Sequence, residues 1–311
     1  MAFEGSEKKI EIIVNESINL RVLGDKFWKD MVAKCEATIL SKISNNSCDA
    51  YLLSESSLFV WDHKFLMITC GRTILANSVL RFFEDFGAES VDGLFFQRKN
   101  EYFERLQPSS FFDDVDKIGK LISGKALRFG HLDTHHTHLF HSEVMKNIQP
   151  EDKTTELLMY HLTGRGAEVF RTENQNIEAI RGFFDYDNLF PGFEIDDFLF
   201  EPFGFSLNGI KEDKYITIHI TPEQSTSYIS FETNLDIEKE APRLLDKILE
   251  LFSPEAFDII NFNSEVAPRL EDNNLQCIKK YKHSIDRNLD INYYEFHKIQ
   301  TEMNKAIEVK R

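Results

Sequence analysis

Four polar residues in a row, Ser54-Glu55-Ser56-Ser57, interrupt two apolar runs, Tyr51-Leu52-Leu53 and Leu58-Phe59-Val60. Buried strands seldom hold such a step, because each polar group taken out of water must find a partner. The Ser56 hydroxyl lies beside the Glu55 carbonyl, so self-cleavage between Glu55 and Ser56 is one reading. The other is a serine-rich bulge between two strands. A second group is Phe200-Glu201-Pro202-Phe203-Gly204-Phe205-Ser206-Leu207-Asn208-Gly209, followed by His219-Ile220-Thr221-Pro222-Glu223. Ser206, His219 and Glu223 could form a hydrolytic triad, or Ser206 could sit in a structural turn. The spacing is not the Gly-x-Ser-x-Gly of a nucleophile elbow. A third group is His131, His135, His136, His138 and His141. On a strand His136 and His138 would share a face, but no carboxylate or cysteine pattern completes a site, and no metal is expected.

Other chemistries find no support. There is no Gly-x-Gly-x-x-Gly after a strand and no phosphate-binding Walker loop. The formal net charge of -16 argues against nucleic acid and anionic membrane as partners. No run approaches the roughly 18 apolar residues of a membrane helix. The start, Met1 to Glu7, lacks the basic and apolar regions of a secretory signal. Cys35, Cys48, Cys70 and Cys277 lie far apart with no Cys-x-x-Cys pair, and read as free thiols of a cytoplasmic protein.

The elements that must position these residues follow from periodicity. Ile10 to Val14 predicts a strand. Gly24-Asp25 opens a helix with Phe27, Met31, Cys35 and Ile39 about four apart, and Asn45-Asn46-Ser47 closes it. Tyr51 to Val60 reads as one interrupted strand. Asp62 to Lys64 is a tight turn into Phe65 to Thr69, followed by a helix over 73–86 and a strand over 93–97. The second half repeats this order, with strands over 215–220 and 228–232, an amphipathic helix over 238–252 and a strand over 257–262. Asn292 to His297 could add an edge strand. The halves, about 1–150 and 151–311, meet near Ile148 to Lys153 and read as a diverged duplication within a single domain. The fold class is α+β. Two mainly antiparallel sheets face each other with helices outside, a four-layer α/β/β/α sandwich.

Taken together, Leu53-Ser54-Glu55-Ser56-Ser57, Thr69-Cys70-Gly71, Gly204-Phe205-Ser206-Leu207-Asn208-Gly209, His219-Ile220-Thr221-Pro222-Glu223 and Ser230-Phe231-Glu232-Thr233-Asn234 resemble the eukaryotic S-adenosylmethionine decarboxylase proenzymes. The opening Phe3-Glu4-Gly5-Ser6-Glu7-Lys8 also resembles that family's. The motifs run in the family's order from residue 3 to about 263.

The resemblance implies a zymogen that cleaves itself. Ser56 would attack the Glu55 carbonyl to give an ester, Ser206 would stabilise the oxyanion, and His219 would remove the α-proton of Ser56. The products would be a β chain, 1–55, and an α chain, 56–311, which begins with a covalent pyruvoyl group derived from Ser56. That group would form a Schiff base with S-adenosylmethionine and act as electron sink for decarboxylation, a lyase reaction that supplies spermidine and spermine synthesis. Cys70 would return a proton, and Glu4 and Glu7 would be acidic active-site residues. Phe3 and Phe200 would sandwich the adenine, the main chain at Glu55 would contact the nucleoside, and Glu223 would hold the ribose. The family's animal members bind putrescine, matched here by Glu11, Phe95, Arg98, Asp152, Thr154, Glu156, Glu232 and Phe262. Ile68 stands where those members have a lysine, so a diamine could supply the missing charge or the site could be lost. Phe203 replaces an animal cysteine. A homodimer of processed αβ units is a further implication. Two alternatives remain, a non-catalytic paralogue that activates a partner decarboxylase and a pyruvoyl enzyme for another amino acid. The presence of Ser56, Cys70, Ser206 and His219 argues against the first, and Phe3, Phe200 and Glu223 against the second.

Overall fold

The computed structural model describes residues 7–99, 101, 104–171, 175–201, 203–223, 227–269 and 274–299. Sheet A is built from β1 (Lys8–Val14), β2 (Ile39–Ser44), β3 (Asp49–Leu53), β4 (Ser56–Val60), β5 (Lys64–Thr69), β6 (Val91–Lys99), β7 (Gly124–Gly130) and β8 (His136–Ser142). Sheet B holds β9 (Thr154–Leu162), β10 (Glu194–Leu199), β11 (Phe205–Lys211), β12 (Lys214–Thr221), β13 (Tyr228–Thr233), β14 (Pro254–Phe262), β15 (Leu275–Asp286) and β16 (Leu289–Lys298). The order is β2-β3-β4-β5-β1-β6-β8-β7 in one and β10-β11-β12-β13-β9-β14-β16-β15 in the other. Adding eight to each strand number of sheet A gives sheet B, so the expected duplication is a duplication of topology.

Alternation along the strands explains the layers. In β1, Ile10, Ile12 and Val14 join a core with Trp28 and Met31 of α1 (Gly24–Lys34), Val79 and Phe82 of α2 (Ala76–Phe86) and Phe111 of α3 (Phe111–Ile118). Lys9 and Glu11, one residue out of phase, face the other way, into the seam between the sheets. Sheet B has its own helical cover. Leu157, Met159, Ile218 and Phe231 pack in one core with Phe170 of α4 (Gly164–Arg171), Phe183 of α5 (Ile177–Phe184), Leu189 of α6 (Tyr186–Leu189), Ile237 of α7 (Ile237–Glu240) and Ile248 and Phe252 of α8 (Leu244–Phe252). Two apolar clusters close the seam itself. Phe59, Leu66 and Ile68 meet Ile210 and Tyr215, and Phe95 and Leu139 meet Leu158, Tyr160 and Ile260. The four-layer expectation is the observed fold.

Several local expectations need correction. Tyr51 to Val60 is not one interrupted strand but a hairpin. Leu53 pairs with Ser56, and Ser54-Glu55 is a two-residue turn. The first helix ends at Lys34, and Ile39 starts a separate strand, β2. The helix expected over 238–252 breaks into α7 (Ile237–Glu240) and α8, with Pro242 between them. The strand around 292–297 is β16, and it is not an edge. β15 lies outside it, an outer strand whose burial alternates residue by residue.

Candidate active site

The Ser54-Glu55 turn points the start of β4 into the seam. Ser56 is 1% exposed and has φ 147°, a backbone region that a side chain makes costly, by about 1–3 kcal/mol. Its surroundings hold it there. Ser56 Oγ lies 2.8 Å from His219 Nε2, across the seam on β12. Ser206, directly opposite His219 in the β11–β12 ladder, places its Oγ 3.0 Å from His219 Nδ1. In the tautomer whose Nδ1–H donates to Ser206, Nε2 presents a bare lone pair to the Ser56 hydroxyl. Asn208 fixes the next layer. Its amide donates to the Tyr51 carbonyl at 3.1 Å, which turns Oδ1 towards the hydroxyls of Ser57, at 2.5 Å, and Thr217, at 3.1 Å. Thr217 Oγ1 also lies 2.9 Å from His219 Nε2. Burial without an acidic partner pushes the His219 imidazole down to about 3, so the ring is neutral near pH 7.

The carbonyl before Ser56 is held as well. Glu55 O accepts from the Cys70 backbone N–H at 2.9 Å and from Cys70 Sγ at 3.2 Å. The serine expected to meet the oxyanion, Ser206, is occupied by His219 in the uncut chain, and the donors on the Glu55 carbonyl come from Cys70. Burial raises the Cys70 thiol well above its ordinary value, with Glu55 and Glu7 adding to the effect, so the thiol keeps its proton. Glu7 closes the group. Ser230 Oγ donates a short hydrogen bond to it, and burial pushes its carboxyl up to about 7. Lys8, which sequence reasoning passed over, donates to Gly71 O at 2.8 Å, and burial lowers its ammonium to about 8.

These residues converge from distant parts of the chain, and the chain has relatives in which to place them. A family model described as adenosylmethionine decarboxylase matches residues 1–309. The chain belongs to the adenosylmethionine decarboxylase family. It is 32% identical over 289 residues to the S-adenosylmethionine decarboxylase proenzyme of Dictyostelium discoideum, covering 86% of this chain and 76% of that one. It is 34% identical over 281 residues to that of Trypanosoma cruzi, covering 84% and 75%. It is 33% identical over 293 residues to proenzyme 3 of Arabidopsis thaliana, covering 85% and 84%. A crystal structure of the Trypanosoma brucei AdoMetDC monomer shares the fold, with TM-score 0.59 at 21% identity over 78% of this chain and 99% of that one.

Other residues expected from the decarboxylase family are less closely gathered. Phe3 and Glu4 lie outside the described residues. Phe200 is half-buried against Phe198, with ring centroids 4.8 Å apart, and its N–H donates to Gly204 O at 2.9 Å. Gly204 has φ 133°, so the bend beside Phe200 requires glycine. Glu223 is half-buried just past β12, beside Arg171, and Phe203 is 43% exposed.

The acidic cluster is real, but its cations are not the expected ones. Glu156 and Glu232 are buried cross-strand neighbours. Lys9 Nζ donates to both, at 2.8 and 2.7 Å, and Lys99 Nζ makes a short bond to Glu156. Burial alone would raise the Glu156 carboxyl, yet Lys9 and Lys99 hold it below the usual range. Tyr215 donates to Glu232 at 2.5 Å. Phe95 and Phe262 meet edge to face at 5.9 Å. A cavity of about 530 Å³ beside them is lined by Lys9, Glu11, Phe95, Asp152, Thr154 and Phe262. Arg98 is a correction. Strand alternation sends it to the opposite face from Phe95 and Lys99, where it pairs with Asp114 at 3.0 Å and Glu101 at 2.5 Å. Lys9 was the missed residue. It is the β1 partner of Ile68, so the cation absent from position 68 stands on the neighbouring strand. The signal was in the sequence, since Glu7, Lys9 and Glu11 share one strand face.

Proposed function

We propose that the chain cuts its own backbone between Glu55 and Ser56, and that the matured enzyme converts S-adenosylmethionine to S-adenosylmethioninamine and CO₂ for spermidine and spermine synthesis. The observation that carries this is the pairing of two held atoms. Ser56 Oγ is 2.8 Å from His219 Nε2, and the Glu55 carbonyl oxygen is 2.9 Å from the Cys70 N–H. His219 takes the hydroxyl proton as Oγ attacks the Glu55 carbonyl carbon, and the Cys70 N–H meets the charge on its oxygen. The Glu55–Ser56 C–N bond then breaks as the nitrogen takes the proton back, leaving an ester. His219 next removes the Cα proton of Ser56, and the Glu55 carboxylate leaves from Cβ. Water releases ammonia from the remaining unit, so chain 56–311 begins with a pyruvoyl group. Ser206 holds the imidazole now and becomes free to donate to an oxyanion when the ring turns.

The residues around Ser56 suit that group, because they form a buried seam with one proton-bearing thiol and one high-pKa carboxyl. The pyruvoyl carbonyl supplies an electron sink for the charge left by CO₂. Cys70, kept protonated by burial, donates to the substrate α-carbon. Phe3 and Phe200 hold the adenine, Glu223 the ribose, and Glu4 and Glu7 complete the acidic lining. A sulfonium cation near aromatic faces gains about 0.5–2 kcal/mol. The free thiols suit a reducing compartment, and we place the enzyme in the cytoplasm. The outer strand β15 is the edge on which two processed units would pair.

For the acidic cluster we favour a built-in cation over a bound diamine. Lys9 already neutralises Glu156 and Glu232 from the side of Ile68. Putrescine should therefore leave the wild-type rate unchanged, while Lys9→Met should be slow and regain activity with putrescine. Equal diamine acceleration of wild type and variant overturns that assignment.

The mass of the purified protein tests the main reading. Wild type should separate into two fragments, the smaller about 6 kDa, and Ser56→Ala should stay whole. A wild-type chain that remains intact rejects it.

A further inference from the structure

Sheet B carries a second polar centre on its inner face. One cross-strand row runs Ser206, His219, Ser230, Leu158, Asp258, Glu295, Lys279. Its first part is the cleavage site. Its last part lies three strand spacings from His219, about 14 Å away. Asp258 and Glu295 are fully buried there. His135, from the β7–β8 turn of sheet A, crosses the seam and lies against the Tyr160 ring at 3.8 Å between centroids. His297 follows Glu295 by two residues on β16 and so shares its face.

Three of these side chains gather as a ligand set, and the fourth, Asp258, stands beside one of them. His135 Nδ1 stands 3.4 Å from Asp258 Oδ1, and His297 Nε2 stands 3.0 Å from Glu295 Oε1. The ligand atoms of His135, Glu295 and His297 all lie within 4.8 Å of one another. His135 Nδ1 and Asp258 Oδ1 are buried with no hydrogen-bond partner, a costly state that a bound ion would relieve. The opposite oxygens are engaged from outside. Tyr160 donates to Asp258 Oδ2 at 3.1 Å, Lys279 pairs with Glu295 Oε2 at 2.9 Å, and Lys279 is itself steadied by Thr134 at 2.6 Å. Asp258 thus has one oxygen hydrogen-bonded and the other turned towards a histidine, and Glu295 has one oxygen ion-paired and the other turned towards a histidine, which is how outer partners orient metal ligands.

We propose that His135, Glu295 and His297 bind one divalent transition ion of the zinc class, with Asp258 standing beside His135. Two imidazoles with one carboxylate favour zinc-like ions over magnesium or calcium. In a tetrahedral site with bonds of about 2.0–2.2 Å, neighbouring ligand atoms are about 3.4 Å apart. The 3.0 Å pair of His297 and Glu295 already approximates one edge of that figure. Among the described residues the two buried carboxylates have one ammonium, Lys279, in an ion pair, so a cation also offsets the remaining charge. The ion ties sheet A to sheet B and touches no reacting atom. The histidines singled out in the sequence, His136 and His138, are not its ligands. They lie edge to face on β8 at 5.1 Å between centroids. His135 finds its partners more than 120 residues away in sequence, where no motif marks them.

The test uses full-length, untagged protein, stripped with a chelator and titrated with Zn²⁺ by calorimetry and with Co²⁺ by visible absorption. One ion per chain, a rise in Tm with Zn²⁺ and a tetrahedral Co²⁺ spectrum are expected. His297→Ala, at a half-exposed position, should keep the fold and weaken binding at least about tenfold. Glu295→Gln, nearly isosteric, should do the same. Wild type that binds neither ion, or that titrates no better than both variants, overturns the proposal.

Discussion

Two topologically equivalent hairpin turns lie in opposite surroundings in this molecule. In sheet A, Ser54-Glu55 joins β3 to β4, with Leu53 and Ser56 as the flanking pair. In sheet B, Glu212-Asp213 joins β11 to β12, flanked by Lys211 and Lys214. Topology makes the two turns equivalent. Their environments differ. The second turn is an exposed surface turn, with Glu212 at φ 55° in the ordinary left-handed region. Its carbonyls accept from Trp61 Nε1 at 3.1 Å and Asn45 Nδ2 at 3.0 Å. The first turn feeds Ser56 into the seam at φ 147°, with an imidazole on its hydroxyl and Cys70 on the preceding carbonyl. In the proposed cleavage the turn does not act alone: the opposite sheet would supply the base, and the neighbouring hairpin would supply the oxyanion donor.

The sharpest way to break this comparison is to make the turns chemically alike. Lys214→Ser puts a serine after Asp213, in the topological place of Ser56. No cleavage should occur there, because neither His219 nor Cys70 reaches that end of the seam. Fragment masses decide it. A new fragment pair ending at Asp213 would show that turn geometry alone suffices.

The second prediction concerns which group titrates during cleavage. Burial pushes His219 down to about 3 and Glu7 up to about 7. His219 is therefore a neutral base throughout roughly pH 5–8, and its ordinary inflection near 6.5 should be missing from the cleavage profile. Any inflection near 7 belongs to Glu7 and should vanish in Glu7→Gln, which mimics the protonated carboxyl. Loss of the base in His219→Ala should slow cleavage by about 10²–10⁴. Linkage gives the matching stability signs. His219, depressed when folded, loses stability as pH falls below 6.5 towards 3. Glu7, raised when folded, costs stability as pH rises from 4.5 to about 7. An inflection near 7 that persists in Glu7→Gln would reassign the titrating group.

Much of the architecture was legible because it rests on local periodicity. Ile10, Ile12 and Val14 alternate, and Val79, Phe82 and Phe83 recur at helical spacing. The two-sheet sandwich follows from burying both patterns. Ser56, Cys70, Ser206 and His219 were legible as short motifs in fixed order, and the structure brings these four together. What failed had weaker or non-local signals. β7 and β15 are outer strands with much exposed polar surface, so they lack a long apolar run. Arg98 was misplaced although parity argued against it, since it stands three residues from Phe95 on one strand. The partnership of Lys9 with Glu156 and Glu232 spans 147 and 223 residues and could be seen only once the sheets were stacked.

The smallest expected effect lies at the sheet B turn. Asn45 is organised to receive it. Its Oδ1 accepts from the N–H groups of Ser47 at 2.8 Å and Cys48 at 2.9 Å, which fixes the side-chain amide to donate to Glu212 O at 3.0 Å. Asn45→Ala removes these bonds at a half-buried position, where water reaches the Glu212 carbonyl. A net loss of about 1 kcal/mol is expected. For a chain of this size that corresponds to a Tm lower by roughly 1.5 °C. Cleavage at Ser56 should proceed at the wild-type rate, because the change sits at the opposite end of the seam. Calorimetry and a cleavage time course on the same preparation check both halves of the prediction. Slowed cleavage with an unchanged Tm would mean that the two turns are coupled through the seam, and the contrast between them would have to be redrawn.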